Sequence, residues 1–259
     1  MKKIKSLIKL IKEFGFSGLI SILTSKYGLP TSNKAKHIWR SALISEIQFW
    51  DNYYRTKGLE WSDQYHLRFD PELPLQPRPT ALLPEREKVK ILDVGAGPQT
   101  YLGKKVEGKT IELQAVDPLA DAYDKIFKKY NITPLVRTKK LASEDLKKRY
   151  SPNEFDLVFA RNCIDHAYEP ENAIMHMVDI VKNGCYVLLE HRPDEAETEN
   201  YVGLHQWNFS MNDNGDFIIR SKDSEVNMSE KYAQICEIKC ETLQEPEDGE
   251  WLITRILKK

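Results

Sequence analysis

The chain has 259 residues, of which 41% are hydrophobic and 30% charged, and its formal net charge is −1. Such a chain is expected to be globular with a sizeable core, and its charge argues against attraction of nucleic acid by bulk positive charge. Its four cysteines lack the spacings of zinc and redox motifs, which favours reduced thiols in a cytoplasm. No apolar run reaches the roughly 18 residues of a membrane span.

Residues 1–27 are basic and amphipathic. Ile4, Leu7, Ile8 and Ile11 recur at helical spacing, and lysines lie between them. Lysines mixed into the apolar residues do not fit a secretory signal peptide. Two interpretations stay open. The segment is either a helix on an anionic membrane surface, which would place the protein at the inner membrane face, or a helix packed over the domain with its lysines in water, which we prefer.

A second helix and a connector follow this segment. Apolar and aromatic residues between His37 and Gly58 predict a helix with one core-facing side. Five prolines within residues 68–87 predict an extended connector, because proline removes the N–H that a helix needs. We therefore divide the chain into an N-terminal helical section with its connector, residues 1–85, and a second domain, residues 86–259.

The stretch KVKILDVGAG at residues 88–97 carries the main functional signal. Its short apolar run, rich in β-branched residues, predicts a buried parallel strand, and the run ends in Asp93, Gly95 and Gly97. Glycines just after a strand allow a tight turn and a close approach of a ligand to the main chain. The next apolar segment, LQAVD, ends in Asp117, and an acid at the end of the second strand of a nucleotide-binding sheet usually binds ribose hydroxyls.

Two classes of cofactor use this arrangement. The dinucleotide fingerprint requires a small residue three positions after the second glycine, and Thr100 stands there instead. The run DVGAG followed by VDP resembles the first two motifs of class I S-adenosylmethionine-dependent methyltransferases, although Gln99 stands where that family often has a third glycine. The resemblance implies that residues 86–259 form a methyltransferase domain with S-adenosylmethionine as cofactor. The implied cofactor contacts are Asp93, Gly95, Gly97, Asp117 and Pro118.

Strand-like and helix-like segments alternate from the glycine turn onwards, which is typical of an α/β sheet. The resemblance implies a Rossmann-like seven-stranded sheet of order 3-2-1-4-5-7-6 with helices on both faces. Asp213, Asn214 and Gly215 predict a hairpin turn, and Ser229 is expected to cap a helix that ends at Ile235. Further strands are predicted at Thr110–Val116, Ile132–Val136, Glu154–Ala160, Gly184–Glu190, Cys236–Leu243 and Trp251–Leu257, and further helices at Leu119–Tyr130 and Ala173–Val181.

The run LASED at residues 141–145 resembles the family's segment beside the adenine ring. This resemblance implies a contact from Ser143 or Glu144 to the exocyclic amine of the base. Ser143 could instead be only the N-cap of the helix that follows. The two roles are compatible, and both stay open.

The loop after the fourth strand, RNCIDHAYEP at residues 161–170, faces the cofactor crevice, because ligands bind beyond the carboxyl ends of the strands in such sheets. It resembles the family's loop at this place, which implies that Asn162 contacts the cofactor and that His166 points toward the substrate. A hydroxyl acceptor needs a base with a pKa near neutrality, and His166 is the first choice. His166 could instead be a histidine near a helix N-terminus that bonds to the backbone.

A long polar loop follows the fifth strand, and such loops are a usual location for substrate recognition. His191 is the second choice for the base, and Arg192, His205 and Trp207 are candidate substrate contacts. An acceptor that is already anionic needs no base, and Arg192, His191 and His205 would then act as electrostatic clamps. The acids and histidines here could also ligate a divalent metal, but their spacing matches no metal pattern, and no metal is predicted.

The sequence after strands four and five also limits the class of acceptor molecule. Amino-methylating nucleic-acid enzymes of this fold share an Asn/Asp-Pro-Pro-aromatic tetrad after strand four, and this chain has Arg161-Asn162-Cys163-Ile164 there. The segment at residues 201–208 resembles bacterial surface-polysaccharide methyltransferases. We therefore expect methyl transfer to an oxygen of a small-molecule or sugar-linked acceptor in surface-glycan biosynthesis, without nucleic acid as a partner. The alternatives are a non-catalytic cofactor-binding or interaction module and a nucleic-acid or protein methyltransferase, and the oligomeric state stays open.

Overall fold

The computed structural model describes residues 31–59, 61–246 and 248–259. The basic segment at residues 1–27, with its expected helix and membrane contact, lies outside the described residues. Within them, no helix is both long and apolar enough to cross a membrane. The helices are α1 Thr31–Thr56, α2 Ser62–Leu67, α3 Pro77–Thr80, α4 Ala120–Tyr130, α5 Pro170–Ile180, α6 Glu195–Thr198 and α7 Met228–Lys231, with a 3-10 helix at Ser143–Lys148. The strands are β1 Lys88–Val94, β2 Thr110–Asp117, β3 Lys139–Lys140, β4 Phe155–Arg161, β5 Val181–His191, β6 Asn208–Met211, β7 Phe217–Arg220, β8 Glu225–Asn227, β9 Cys236–Glu245 and β10 Gly249–Lys258.

Helix α1 confirms the helix that was predicted between His37 and Gly58. After α1 the backbone takes left-handed angles at Lys57 (φ 57°), Gly58 (φ 110°) and Leu59 (φ 53°). The N–H of Gly58 donates to the carbonyl of Tyr53 at 2.8 Å, which satisfies a carbonyl of the last helical turn. The helix therefore ends in a defined turn that leads into α2.

The connector to the sheet is not fully extended, contrary to the prediction from its prolines. Helix α3 interrupts it, with Pro77 in the first turn, where the missing N–H has no partner to lose. Leu75 and Leu83, on either side of α3, are buried against one face of the sheet. The predicted boundary at residue 85 falls just before β1, and it stays a prediction.

The large sheet has the strand order β3-β2-β1-β4-β5-β10-β9. Its first five strands are parallel, and β10 runs antiparallel to both β5 and β9. Because β9 and β10 are the sixth and seventh strands of this sheet along the chain, the order is 3-2-1-4-5-7-6, as predicted. The carboxyl ends of β1, β2 and β4 lie at one edge, where the sequence predicted the cofactor crevice.

The third strand was predicted too early in the chain. It consists of Lys139 and Lys140, which pair with the end of β2, and not of Ile132–Val136. Two features explain the error. Pro134 has no N–H to give to a strand ladder, and Leu135 is 46% exposed, so this apolar run does not enter the sheet.

Adjacent residues of β1 pack on opposite faces of the sheet, as the pleat requires. Ile91 and Leu92 are both fully buried, and they belong to different hydrophobic clusters. Helix α5 covers the face of Leu92, while the connector with α3 covers the face of Ile91. The chain passes from β1 to β2 through residues 95–109 without a helix, so the glycine turn opens into a loop.

A second, three-stranded sheet of order β6-β7-β8 packs on the large one. Its first hairpin confirms the predicted turn, because Met211 pairs with Phe217 across it. The predicted cap of the next helix is wrong. Asn227 caps α7 by accepting from the N–H of Glu230 at 3.0 Å, whereas the hydroxyl of Ser229 accepts from the N–H of Phe217. Helix α7 also ends at Lys231, before the predicted end at Ile235.

Candidate active site

A cavity of about 640 Å³ opens at the carboxyl edge of the large sheet. Its size lies within the range of small-molecule sites. Side chains of α1, of the glycine turn and of the loops after β4 and β5 line it together. The sequence-predicted residues that line this cavity are Asp93, Gly95, Gly97, Asp117, Pro118, Ser143, Glu144, Asn162, His166 and His205.

The glycine turn has no room for side chains. Gly95 and Gly97 have φ angles of 69° and 62°, in the left-handed region that favours glycine. A Cβ atom at Gly95 would lie 2.7 Å from the Cβ of Cys163, and one at Gly97 would lie 2.8 Å from Cζ2 of Trp50. The bare backbone at these positions forms a cradle that a ligand can approach closely.

Asp117 ends β2 and is 8% exposed. Its Oδ1 accepts from the N–H of Leu119 at 2.8 Å, and its Oδ2 accepts from the N–H of Gly97 at 3.2 Å. Burial raises the pKa of Asp117 to about 6, against the hydrogen bonds from Leu119, Tyr123 and Gly97. A carboxylate has about four acceptor positions, so Asp117 can hold the turn and still accept ribose hydroxyls. The site therefore fits the cofactor that the sequence implied.

Asp93 is also buried, and contacts near it explain why Thr100 and Gln99 depart from the known cofactor-binding patterns. Its Oδ2 accepts from the hydroxyl of Thr100 at 2.5 Å, and burial raises its pKa to about 7. Gln99 accepts from the hydroxyl of Tyr54 at 2.8 Å. Thr100 and Gln99, which do not match the dinucleotide and methyltransferase patterns, thus attach the glycine turn to β1 and to α1.

Helix α1 contributes site residues that the sequence prediction left out as core. Glu46 and Trp50 line the cavity, and Nε1 of Trp50 donates to Oε1 of Glu46 at 2.7 Å. Burial raises the pKa of Glu46. Arg68, after α2, also lines the cavity and lies 5.7 Å from the Trp50 ring centre. The local sequence pattern does not reveal these roles, because the glycine turn and the loop after β4 that share the cavity with Glu46, Trp50 and Arg68 lie far along the chain.

In the segment predicted to contact adenine, Glu144 binds backbone N–H groups of the protein. Oε1 of Glu144 accepts from the N–H groups of Tyr168 (2.9 Å) and Glu169 (3.3 Å), just before α5. Its Oε2 accepts from the hydroxyl of Ser143 at 3.0 Å. Ser143 is not an N-cap, because Ala142 holds that position and no side chain caps the 3-10 helix. Ser143 and Glu144 still line the cavity.

Asn162 adopts a left-handed angle (φ 46°) directly after β4. Its N–H donates to the carbonyl of Glu190 at 2.8 Å, and its Oδ1 accepts from the N–H of Arg192 at 3.2 Å. Its Nδ2 donates to Oε1 of Glu195 at 3.4 Å. Asn162 therefore joins the loop after β4 to the segment after β5.

The two loops bring together two of the predicted histidines. Nε2 of His166 lies 3.2 Å from Nδ1 of His205, and their rings meet edge to face. Asp165 and Glu195 lie beside this pair, so that one ligand atom from each of the four side chains lies within 4.8 Å of the others. The sequence predicted no metal because these residues come from two separate segments, and their spacing along the chain gave no motif.

Three predicted site residues do not line the cavity. His191 is 1% exposed, its Nε2 accepts from the N–H of Ile164 at 3.2 Å, and burial lowers its pKa to about 3, so it is held as a neutral structural histidine. Arg192 pairs with Asp248 at 2.7 Å and stacks on Trp251. Trp207 packs against the main hydrophobic cluster. We therefore correct the assignments of His191 as base and of Arg192 and Trp207 as substrate contacts.

A methyltransferase domain family matches residues 92–189, which is less than half of the chain. No curated protein matches the sequence.

Several solved structures are similar. The 1,6-didemethyltoxoflavin-N1-methyltransferase of Burkholderia thailandensis is 13% identical with a TM-score of 0.48, and the match covers 90% of this chain and 92% of that one. A possible histamine N-methyltransferase of Thermotoga maritima is 18% identical with a TM-score of 0.47, covering 86% and 99%. The [4+2]-cyclase SpnF is 16% identical with a TM-score of 0.32, and the match covers 43% of this chain. This chain therefore spans less than half of the length of the cyclase, 42%.

At such low sequence identity, the substrates of these proteins do not indicate the acceptor of this chain. The family match instead coincides with the part of the chain that runs from β1 to β5 and holds the glycine turn, Asp117 and the loop after β4. Residues 92–189 thus match a methyltransferase domain, and the bare glycine turn and the Asp117 carboxylate within them fit S-adenosylmethionine as the cofactor.

Proposed function

We propose that this protein transfers a methyl group from S-adenosylmethionine to an oxygen of a small-molecule or sugar-linked acceptor. One observation carries the proposal: Asp93 and Asp117, on the cofactor side, and the histidine pair of His166 and His205 line a single cavity. A site that only binds a cofactor has no need for a pair of half-buried proton-accepting histidines beside it. This arrangement favours an enzyme over a non-catalytic module.

S-adenosylmethionine, when bound, supplies a methyl group on a positively charged sulfur. In the transfer, the acceptor oxygen forms a bond to the methyl carbon, the bond from that carbon to sulfur breaks, and the acceptor proton must leave. We assign acceptance of this proton to the His166–His205 pair. The remaining work of the protein is to orient the acceptor and to exclude water, and orientation alone can supply several kcal/mol, up to about 7–11 kcal/mol.

The cofactor side of the cavity is assigned by chemistry. We assign Asp117 to the ribose hydroxyls, and the backbone of Gly95 and Gly97, with Asp93 behind it, to the methionine part. Ser143 is the polar side chain left for the base, because Glu144 is occupied by backbone N–H groups. Pro118 and Asn162 complete this side of the cavity in the proposal.

Exposed aromatic rings support the sugar-linked class of acceptor. Phe49 and Trp61 line the cavity and are 38% and 39% exposed. Aromatic faces with open access suit stacking against sugar rings, and His205, from the segment resembling surface-polysaccharide enzymes, lies inside the same cavity. A role in surface-glycan biosynthesis in the cytoplasm is part of this proposal, and contact of residues 1–27 with the inner membrane face stays a prediction.

Calorimetric titration with S-adenosylmethionine, S-adenosylhomocysteine and NAD tests the cofactor. We expect one site for each sulfur nucleoside and no binding of NAD. Transfer of a labelled methyl group to nucleotide sugars and glycan fragments then tests the acceptor.

In that transfer assay, His166→Gln is expected to lose about 100-fold or more in turnover. His66→Gln, which changes an exposed histidine on α2, is the matched control and should keep full turnover. Equal turnover of His166→Gln and the wild type would refute the assignment of the base. Binding of NAD without binding of either sulfur nucleoside would refute the cofactor.

A further inference from the structure

Four side chains with metal-binding atoms meet at the acceptor end of the cavity. They are Asp165 and His166, from the loop after β4, and Glu195 and His205, from the segment after β5. Nε2 of His166 lies 3.2 Å from both Nδ1 of His205 and Oδ2 of Asp165, and Nδ1 of His205 lies 4.0 Å from Oε1 of Glu195. Ligands about 2.1 Å from one cation are separated by about 3.0–4.2 Å, which is close to these distances.

Three of the four carboxylate oxygens in this cluster are buried without a hydrogen-bond partner. Asp165 is 1% exposed, and neither of its oxygens accepts a well-aligned hydrogen bond, although the Glu195 carboxyl, its own N–H and the N–H of His166 are nearby. Oε2 of Glu195 is also buried without a partner. A buried carboxylate without a partner is costly, and native structures normally compensate it.

No positive side chain supplies this compensation. Within the described part of the chain, no lysine or arginine forms an ion pair with Asp165 or Glu195. His191 lies 3.6 Å from Asp165, but the atom that faces it, Nε2, already accepts from the N–H of Ile164 and offers no proton. The negative charge of these carboxylates is therefore not compensated by a positively charged side chain.

We infer that Asp165, His166, Glu195 and His205 bind one divalent transition cation. Two imidazoles with two carboxylates suit Mn²⁺ or Zn²⁺ better than Mg²⁺, which prefers oxygen ligands and retains its waters. His166, Glu195 and His205 line the cavity, so a cation here faces the acceptor. This inference rests on the proposed methyl transfer and replaces one step of it: positive charge beside the acceptor oxygen favours loss of its proton to water, so His166 and His205 act as ligands in place of their role as the base.

The test measures cation binding directly and needs no methyl transfer. The full chain is stripped with a chelator and titrated with Mn²⁺, with calorimetry for affinity and electron paramagnetic resonance of free Mn²⁺ for stoichiometry. We expect one Mn²⁺ per chain, competition by Zn²⁺, weak competition by Mg²⁺, and a rise in the unfolding temperature with Mn²⁺.

Variants at the less buried ligands locate the site. Glu195→Gln and His205→Gln should each weaken Mn²⁺ binding by about 10-fold or more while the protein stays folded by circular dichroism. The controls are Glu107→Gln, an exposed carboxylate in the loop between β1 and β2, and His66→Gln, and both should bind Mn²⁺ as the wild type does.

Two results would overturn the inference. Absence of Mn²⁺ and Zn²⁺ binding to the folded wild type would mean that Asp165 and Glu195 share a proton instead. Mn²⁺ binding that Glu195→Gln and His205→Gln leave unchanged would place the cation elsewhere. Failure of the proposed function gives a different result, because S-adenosylmethionine would then not bind or no acceptor would be methylated, whatever the outcome with Mn²⁺.

Discussion

At Gly97 the chain has space for a hydrogen atom and for nothing larger. The position combines a left-handed backbone with an α1 ring that a Cβ would approach to 2.8 Å. Gly108 has a similar angle (φ 70°) but no atom within 4 Å of a Cβ. The two glycines therefore separate the effect of backbone strain from the effect of contact.

We predict that Gly97→Ala weakens S-adenosylmethionine binding by about 10-fold or more, about 1.4 kcal/mol, because the turn and Trp50 must move apart. Gly108→Ala should lose about 1–2 kcal/mol of unfolding free energy from strain alone and keep its cofactor affinity. Calorimetry and chemical denaturation of both variants check this. Equal cofactor affinities of the two variants would show that contact with Trp50 does not shape the site.

Asp117 illustrates a conflict between stability and function within one residue. Burial raises its pKa from 3.8 to about 6, in the presence of Asp93 and Glu46 as neighbouring acids and Tyr123 as a hydrogen-bond donor. A group whose folded pKa is raised contributes stability below its unfolded pKa and loses it as the pH rises through its folded pKa. Keeping Asp117 ionised in the folded protein therefore costs free energy above about pH 6.

We predict that Asp117→Asn gains stability relative to the wild type as the pH rises from 4 to 8. The gain between these pH values is at most about 3 kcal/mol, from about two pKa units at 1.36 kcal/mol each. The hydrogen bonds that the variant loses lower its stability at every pH and do not change this dependence. The same variant should lose S-adenosylmethionine binding, because an amide replaces the carboxylate that accepts the ribose hydroxyls. Urea denaturation at several pH values is the measurement, and a stability difference that does not change with pH would contradict the prediction.

At the scale of the element, α1 shows what the sequence predicts and what it leaves out. Its helical state follows from the spacing of its apolar residues, which is a local property. Its place over the glycine turn depends on contacts between distant residues, such as that of Tyr54 with Gln99, and no local pattern contains them. For this reason Gln99 looked only like a departure from the family pattern.

We predict that Tyr54→Phe lowers the unfolding free energy by about 1–3 kcal/mol, because it leaves the buried Gln99 carbonyl without its donor. Tyr65→Phe is the matched control, since its hydroxyl makes no hydrogen bond among the described residues, and its effect should stay within about 0.5 kcal/mol. Thermal or chemical denaturation compares the two. A Tyr54→Phe protein as stable as the Tyr65→Phe protein would mean that this bond does not hold α1 in place.

At the scale of the whole molecule, the sequence predicted the sheet better than the site. The alternation of strand and helix patterns predicted an α/β sheet, and the resemblance of the glycine turn and Asp117 to a known family implied the strand order that the structure shows. The site depends on which loop residues meet. Three predicted residues had side chains of a suitable type but make other contacts. His191 accepts from the N–H of Ile164, Arg192 pairs with Asp248, and Trp207 packs against the hydrophobic core.

The cavity also joins parts of the molecule that are far apart in sequence. Trp39, Leu43, Glu46 and Trp50 of α1 line it together with the glycine turn and the loops after β4 and β5. A ligand that contacts all three parts binds only when α1 is in place, so binding must oppose local opening of α1. The small sheet, β6 to β8, is not among the elements that line the cavity within the described residues, and it provides an internal reference.

We therefore predict that S-adenosylhomocysteine slows amide hydrogen exchange in residues 39–56 of α1, while exchange in β6 to β8 stays the same. Mass spectrometry of peptic peptides with and without the ligand measures both regions in one experiment. Asp117→Asn, which should not bind the ligand, is the control and should show no slowing in α1. If the wild type binds the ligand by calorimetry and α1 exchange does not change, the helix is fixed independently of the cofactor. Slowing of the small sheet to the same extent as α1 would indicate a general stabilisation, without a specific role for α1 over the site.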